Sequence, residues 1–464
     1  MNRRYKELFK NASIFTIGSF SSKVRIFLLV PFYTNYLSTE EYGYYDLSYV
    51  TIQLLFPIFT LGISEGIVRF LLEGKDKKTT ISLAARHLII STFIVSAILF
   101  INRVFRISDF LIQYMWDFWA FFFAFSVHSF LISIAKGNEQ IKEIAVAGVL
   151  GTATMIAFNV LFLMVYPLQL HGFFMANYAS SLISSCYLAV KTRIWSQLSL
   201  ERNREREKTI ILYSLPLVLN SLGWWANNTS DRYIVSFLCG VSVNGLISIA
   251  YKISNIISVF GSFFLQAWQI SAVKEYEENR NSKIYKNLFL YMNAGLCAVS
   301  GLFILFSKVL GTVFFSKDFS EAWVFVPLLI ISALLNQAAG FVGPILGAKY
   351  KSNAIGRAAF AGIIVNVILN IILTLLIGPQ GITIATVIAS FIIFALRERE
   401  TDSIIRGPFY RRIILSWFVL CIEAAAVSFF GSFLIAGVCT LLVFAIYLDT
   451  YRQLSRMILT RVKG

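Results

Sequence analysis

Residues 354–377 read AIGRAAFAGIIVNVILNIILTLLI, residues 378–379 are Gly-Pro, and residues 380–396 read QGITIATVIASFIIFAL. A spanning helix needs roughly 20 apolar residues, so two such runs around a short turn form a hairpin that crosses a bilayer twice. Neither run alternates apolar with polar residues, as the strands of a transmembrane barrel must. The same reading, carried outward to both ends, gives fourteen segments with short polar separators: 11–37, 43–72, 82–101, 109–135, 142–165, 170–190, 210–239, 244–271, 287–306, 321–345, 354–377, 380–396, 412–430 and 432–448. Composition agrees. The 464 residues are 57% hydrophobic and 14% charged, whereas soluble domains run about 45–50% apolar and about 25% charged. The expected fold is an all-α integral membrane protein of about fourteen transmembrane helices, with the lipid bilayer as its solvent.

The chain carries 41 Lys and Arg against 25 Asp and Glu, a net charge of +16. With the N-terminus inside, 32 of the 41 cations fall in the inner segments and four (Arg103, Arg106, Lys308, Lys317) in the outer loops. The remaining five, Lys23, Arg25, Arg69, Arg232 and Lys252, lie within predicted helices. This is a strong positive-inside pattern, and it implies an even number of crossings with both termini cytoplasmic. It also argues against nucleic acid, because the cations are spread over eight short loops and are not gathered into a groove. Residues 1–10 have the positive flank of a signal peptide, but the apolar run beyond them reaches Leu37 without a small-residue cleavage site, so the segment reads as an uncleaved first helix. Five scattered cysteines and three histidines show no CxxC or HExxH spacing, and no cofactor or metal is expected.

The organisation reads as an N-terminal lobe of six helices over 1–190, a cytoplasmic linker over 191–209, a C-terminal lobe of six helices over 210–396, and a last helix pair with a tail over 412–464. The linker is a mixed charge run whose simplest reading is a solvated connection. Gly43–Tyr49 and Gly245–Tyr251 stand 202 residues apart, each opening an even-numbered helix after a short outer turn. With the six-plus-six spacing, this suggests a parallel repeat of two pseudo-symmetric lobes around a central cavity.

Ionisable groups within hydrocarbon cost roughly 2.5–3.5 kcal/mol each on insertion scales, so those that persist mark candidate sites. Lys23 and Arg25 fall roughly 18–21 Å from either end of the first helix, near the midplane. Two residues apart, they point about 200° from each other, and Arg25 is the preferred one. Asp231 and Arg232 lie roughly 11–13 Å below the outer turn at 240–245 and Lys252 about 12 Å, so they can meet at one level. Either they form a neutralising salt bridge, or Asp231 holds one cation while Arg232 or Lys252 presents charge to a cavity. Glu423, roughly 16 Å into its helix, and Asp46 are candidate charge-pairing or coupling acids. Asp117 sits between Trp116 and Trp119, which read as interfacial aromatics. Arg69 can snorkel, with Glu65 placed to pair with it. His128 reads as an interior histidine, and Asn366 and Asn370, four apart, share a helix face. Pro31, Pro57, Pro216, Pro327 and Pro344 should bend their spans. The excess of Lys23, Arg25, Arg232 and Lys252 over Asp231 suits an anion, and Arg and Lys are the residues for phosphate or pyrophosphate oxygens.

At FYTNYLSTEEYGYYDLS (32–48), and again at Pro216, Asn220 and SDRYIVSFLCGVSVNGLISIAYKIS (230–254), the chain resembles the Wzx-type polysaccharide and O-antigen flippases of the multidrug/oligosaccharidyl-lipid/polysaccharide exporter superfamily. The motif likeness covers about a sixth of the chain and the hydropathy layout covers all of it. The resemblance implies two six-helix lobes, alternating access, and movement of an undecaprenyl-pyrophosphate-linked oligosaccharide to the periplasmic leaflet of a bacterial inner membrane. Glycan polymerase and chain-length proteins would be possible partners. Its cavity cations map onto Arg25, Arg232 and Lys252, and the pair 412–448 resembles the added helices of the lipid II flippases. A drug or cation antiporter of the same superfamily would instead turn Asp46, Asp117 and Glu423 inward. A membrane glycan polymerase or ligase would need an external catalytic loop, and no outer loop exceeds about fifteen residues.

Overall fold

The computed structural model describes residues 29–464 except 75, 200, 279–281, 403, 463 and 464. Among the described residues every regular element is helical, and the chain divides into two compact units, Met1–Thr229 and Ser230–Gly464. Unit 1 contains α1 (Val30–Tyr36), α2 (Thr39–Phe59), α3 (Ile63–Leu72), α4 (Lys77–Phe105), α5 (Met115–Gly137), α6 (Ile141–Asn159, continued by a π-helical turn to Val165) and α7 (Gln169–Thr192). The division falls inside α8 (Arg204–Cys239). Unit 2 continues with α9 (Val241–Glu278), α10 (Ser282–Leu305), α11 (Val326–Ala348), α12 (Ser352–Ile377), α13 (Gln380–Arg399), α14 (Tyr410–Phe430), α15 (Phe433–Ile446) and α16 (Leu448–Val462).

Eleven helices among the described residues are long and apolar enough to cross a membrane, or twelve when the bent pair α2–α3 is taken as one span. Two of the fourteen expected spans are not among these. The predicted segment 11–37 lies mostly outside the described residues, and the segment 432–448 forms a 14-residue helix. At 1.5 Å per residue such a helix is about 21 Å long, short of a hydrocarbon core of about 30 Å. Large apolar side chains stay exposed along the candidate spans, as at Phe93, Phe237, Leu376 and Leu434, as a chain solvated by lipid requires.

The α2–α3 bend of 57° has a local cause. Pro57 removes an amide from the last turn of α2, and Leu61 and Gly62 then adopt left-handed conformations (φ 51° and 64°). A Cβ on Gly62 would meet the Ser214 carbonyl at 2.8 Å, and one on Gly66 the Ser214 hydroxyl at 2.0 Å, so both glycines let α8 lie directly on α3. Pro31 and Pro327 differ from expectation. They occupy the first turns of α1 and α11, where a missing amide costs nothing and no bend is needed. Below the bend, Ile63, Ile67 and Phe70 join Ile81, Leu88, Phe130, Ile134 and Leu188 in the core of unit 1. In unit 2 the core forms around α11, which packs against α9, α10, α13 and α14.

The linker is not simply solvated. Its last residues begin α8, where Arg206 lies 3.4 Å from Glu73 and 4.7 Å over the Phe70 ring, while Glu207 pairs with Arg86. At one end of unit 2, the loop after α13 is tied by charge. Lys349 reaches Asp402 at 2.8 Å, Lys351 lies 3.6 Å from both Glu400 and Asp402, and Arg406 binds Glu398 through two 2.7 Å bonds. The Lys349 hydrogen bond and charge, with Lys351 beside it, hold the Asp402 carboxyl below the usual carboxylate range.

Candidate functional site

The α8–α9 hairpin turns at Gly240 (φ 97°), a single residue between the two helices. So tight a turn makes positions equidistant from Gly240 face each other. Arg232 stands eight residues before it and Ser248 eight after, and the Arg232 Nη1 donates to the Ser248 hydroxyl at 2.8 Å. The Tyr251 hydroxyl donates to Asp231 Oδ2 at 2.5 Å. The Arg232 guanidinium lies 4.1 Å over the Tyr251 ring, with its Nε 3.9 Å from Asp231 Oδ1. At 3.9 Å that last contact is an ion pair without a hydrogen bond. Ser248 passes the chain on to Asn244 at 3.5 Å. Arg232 is 8% exposed and Asp231 5%, so both charges are held away from water at a level where each needs partners.

The sequence named Asp231 and Arg232 but missed Asn244, Ser248 and Tyr251. Their spacing of four and three along α9 is the signal that could have found them, since residues so spaced share a helix face. Lys252 is half-buried and follows Tyr251 by one position, about 100° around α9. Lys23 and Arg25 lie outside the described residues.

The predicted acids are dispersed. Asp46 is buried on α2, beside a wall of rings that the sequence reading did not single out. Tyr42, Tyr45 and Tyr49 line one face of α2. Tyr45 packs 4.3 Å from Phe173 and 5.7 Å from Phe121, and its hydroxyl donates to Asn177 at 2.9 Å. Glu423 is fully buried where α10, α14 and α15 meet. It accepts from Thr440 at 2.8 Å, and its second oxygen faces Gly301. These neighbours are not those of Arg232. Asp117 bonds His171 at 2.6 Å between α5 and α7. The expected Glu65–Arg69 pair is replaced: Arg69 lies 3.6 Å from Glu73 and 4.8 Å over the Tyr213 ring, while Glu65 accepts from Ser221 at 3.2 Å. Asn370 donates to Asn366 at 3.0 Å, as their shared face suggested. No group of three or more His, Cys, Asp or Glu able to hold a metal occurs among the described residues.

The fold is that of the multidrug/oligosaccharidyl-lipid/polysaccharide superfamily of transporters. It is similar to the lipid II flippase MurJ in its inward closed conformation, with a TM-score of 0.69, 16% identity, and coverage of 95% of this chain and 99% of that one. It is also similar to an inward-facing multidrug resistance MATE family transporter, with a TM-score of 0.66, 15% identity, and coverage of 83% and 96%. Within that class, residues 8–269, more than half of the chain, match the family described as polysaccharide biosynthesis protein, and the chain belongs to it. A probable low-salt glycan biosynthesis flippase, Agl15 of Haloferax volcanii, is 22% identical over 438 residues, covering 90% of this chain and 88% of that protein. MurJ and the MATE protein, two solved proteins that share this fold, are a lipid flippase and a multidrug transporter.

Proposed function

We propose that the protein is a flippase for a lipid-linked glycan, and more finely that it carries a polyprenyl-pyrophosphate oligosaccharide, such as an undecaprenyl-linked unit of O-antigen or capsule, from the inner to the outer leaflet. One observation carries the anionic half of this reading. Arg232 is buried within a membrane span, its guanidinium oriented by Ser248 and Tyr251, with half-buried Lys252 on the adjoining helix. Arginine presents a planar fork to phosphate oxygens and lysine a point charge. The family supports the glycan half. Six-plus-six lobes rocking around a central cavity, both termini cytoplasmic, Arg25 and Lys23 as further cations, and a bacterial inner membrane complete the reading. Substrate exchange between leaflets requires the pyrophosphate to bind the two states unequally.

The decisive experiment is reconstitution. Vesicles containing the purified protein and a defined lipid-pyrophosphate oligosaccharide should show glycan on the opposite leaflet, and charge reversal at Arg25 or Arg232 should abolish this in protein that still inserts. Normal transport by both variants would overturn the proposal. The MATE likeness favours a second reading, export of drug cations. Cation export would use free acids, whereas Asp231 is held by Tyr251 and Arg232. It predicts transport of lipophilic cations in the same vesicles and indifference to the glycan lipid.

A further inference from the structure

Arg103 and Arg106 are two of the four cations that the positive-inside reading leaves on the outer side. Among the described residues neither makes an ion pair. Arg103 lines a cleft of about 340 Å³ between the end of α4 and the start of α5, together with Ser96, Leu99, Phe100, Met115, Trp116 and Trp119, and Arg106 follows three residues later as the cap of α4. The α4 residues recur at intervals of three, one and three, so they form one helix face with Arg103 at its end. Trp119 is fixed as a wall by donating its ring N–H to the Ser96 hydroxyl at 2.9 Å. Trp116 and Phe100, by contrast, are 72% and 66% exposed.

Depth and rigidity single out this corner. Arg103 is 25 residues along α4 from Lys78, about 37 Å at 1.5 Å per residue, beyond a hydrocarbon core of about 30 Å. With Lys78 at one face of the bilayer, Arg103 falls in the opposite headgroup layer. The turn carrying Arg106 is clamped from below: buried Asn102 accepts from the Ser108 amide at 2.9 Å and donates to the Ser108 carbonyl at 3.2 Å. Asp109, the nearest acid in sequence, pairs with neither arginine. The result is an apolar cleft with the positive charge of Arg103 at one end and Arg106 one helical turn beyond it.

We propose that this cleft binds an anionic phospholipid, its phosphate on Arg103 and Arg106 and an acyl chain along Leu99, Phe100 and Trp116. The cationic mouth over an apolar trough is complementary to that molecule and not to a soluble anion, which would leave the trough empty. In the N-inside orientation the site faces the outer leaflet. The site is independent of the glycan lipid and of Arg232.

The test uses the full chain in phosphatidylcholine vesicles and reads quenching of tryptophan fluorescence by lipids with brominated acyl chains. The difference between wild type and Trp116→Phe isolates the cleft from the other seven tryptophans. Brominated phosphatidylglycerol should quench the Trp116 signal at severalfold lower mole fraction than brominated phosphatidylcholine. Arg103→Gln with Arg106→Gln should erase that preference in protein of unchanged elution on size exclusion, and Arg103→Lys should retain part of it. Inorganic phosphate at millimolar concentration should not compete. Equal quenching by the two lipids, an intact preference in the double glutamine variant, or competition by inorganic phosphate would each overturn the proposal.

Discussion

Replacing Arg232 by Gln separates a counterion from a substrate ligand. The change removes the Nη1 bond to Ser248 and the guanidinium 4.1 Å above Tyr251, and takes away the cation 3.9 Å from buried Asp231. Breaking a buried pair by deleting one partner costs about 3–5 kcal/mol, mostly through the charge left behind. Asp231→Asn added to Arg232→Gln removes that charge and should restore most of the loss, leaving about 1–2 kcal/mol for the missing hydrogen bond and cation–π contact. Stability is read by thermal unfolding in detergent followed on size exclusion. Transport should behave differently. An arginine fork on a pyrophosphate makes two charge-assisted bonds of about 1.5–3 kcal/mol each, and a tenfold change corresponds to about 1.4 kcal/mol. At sub-saturating glycan lipid, the double variant should therefore remain about a hundredfold or more below wild type in reconstituted vesicles while nearly as stable. Recovery of transport to within about threefold of wild type would show that Arg232 only neutralises Asp231, and would refute the assignment.

Three further outcomes follow from the packing. Gly66→Ala would drive its Cβ to 2.0 Å from the Ser214 hydroxyl; overpacking of this kind costs about 1–3 kcal/mol, and Ser214→Gly in the same chain should recover it, as a matched pair of melting curves would reveal. Glu423→Gln keeps an acceptor for Thr440 and should melt close to wild type, whereas Glu423→Ala should lose about 2–5 kcal/mol to a cavity and an orphaned hydroxyl; equal losses in the two variants would mean that the carboxylate charge itself is required. The folded-state pKa of Asp402 is depressed by Lys349 and Lys351, so its contribution is present above the ordinary carboxylate range and is lost as pH falls through the lower folded value. The stability difference between wild type and Asp402→Asn should accordingly be constant from neutral pH to about 5 and shrink as the solution is acidified below the ordinary carboxylate range; a difference that grows on acidification contradicts this.

How much of the molecule was legible follows from which forces leave a mark in one dimension. Apolar length fixes a membrane helix, so the hairpin 354–396 and most other spans could be read directly. The break between α2 and α3 could not, because Pro57 alone does not set a 57° bend. It also takes Gly62 and Gly66 lying on Ser214, more than a hundred residues away. Side-chain partners were legible only where geometry is local. Asn366 and Asn370 share a face by spacing, whereas Arg69 had acids four residues away on either side and took Glu73 while Glu65 turned to Ser221. Burial cost alone picked out Asp231 and Arg232, but neutral Ser248 and Tyr251 carry no such flag and emerge only from the hairpin register about Gly240. That register alters the electrostatic argument. Counting cations along the spans gave an excess of positive charge, but with Asp231 3.9 Å away the guanidinium is already largely neutralised. An anion reaching Arg232 must displace or share that carboxylate, so its affinity will depend on the Asp231–Tyr251 hydrogen bond as well as on the number of cations. Tyr251→Phe, which frees Asp231 to hold Arg232 more closely, should for that reason weaken glycan-lipid transport without removing any group that touches phosphate; unchanged transport in that variant would mean that substrate and Asp231 do not compete.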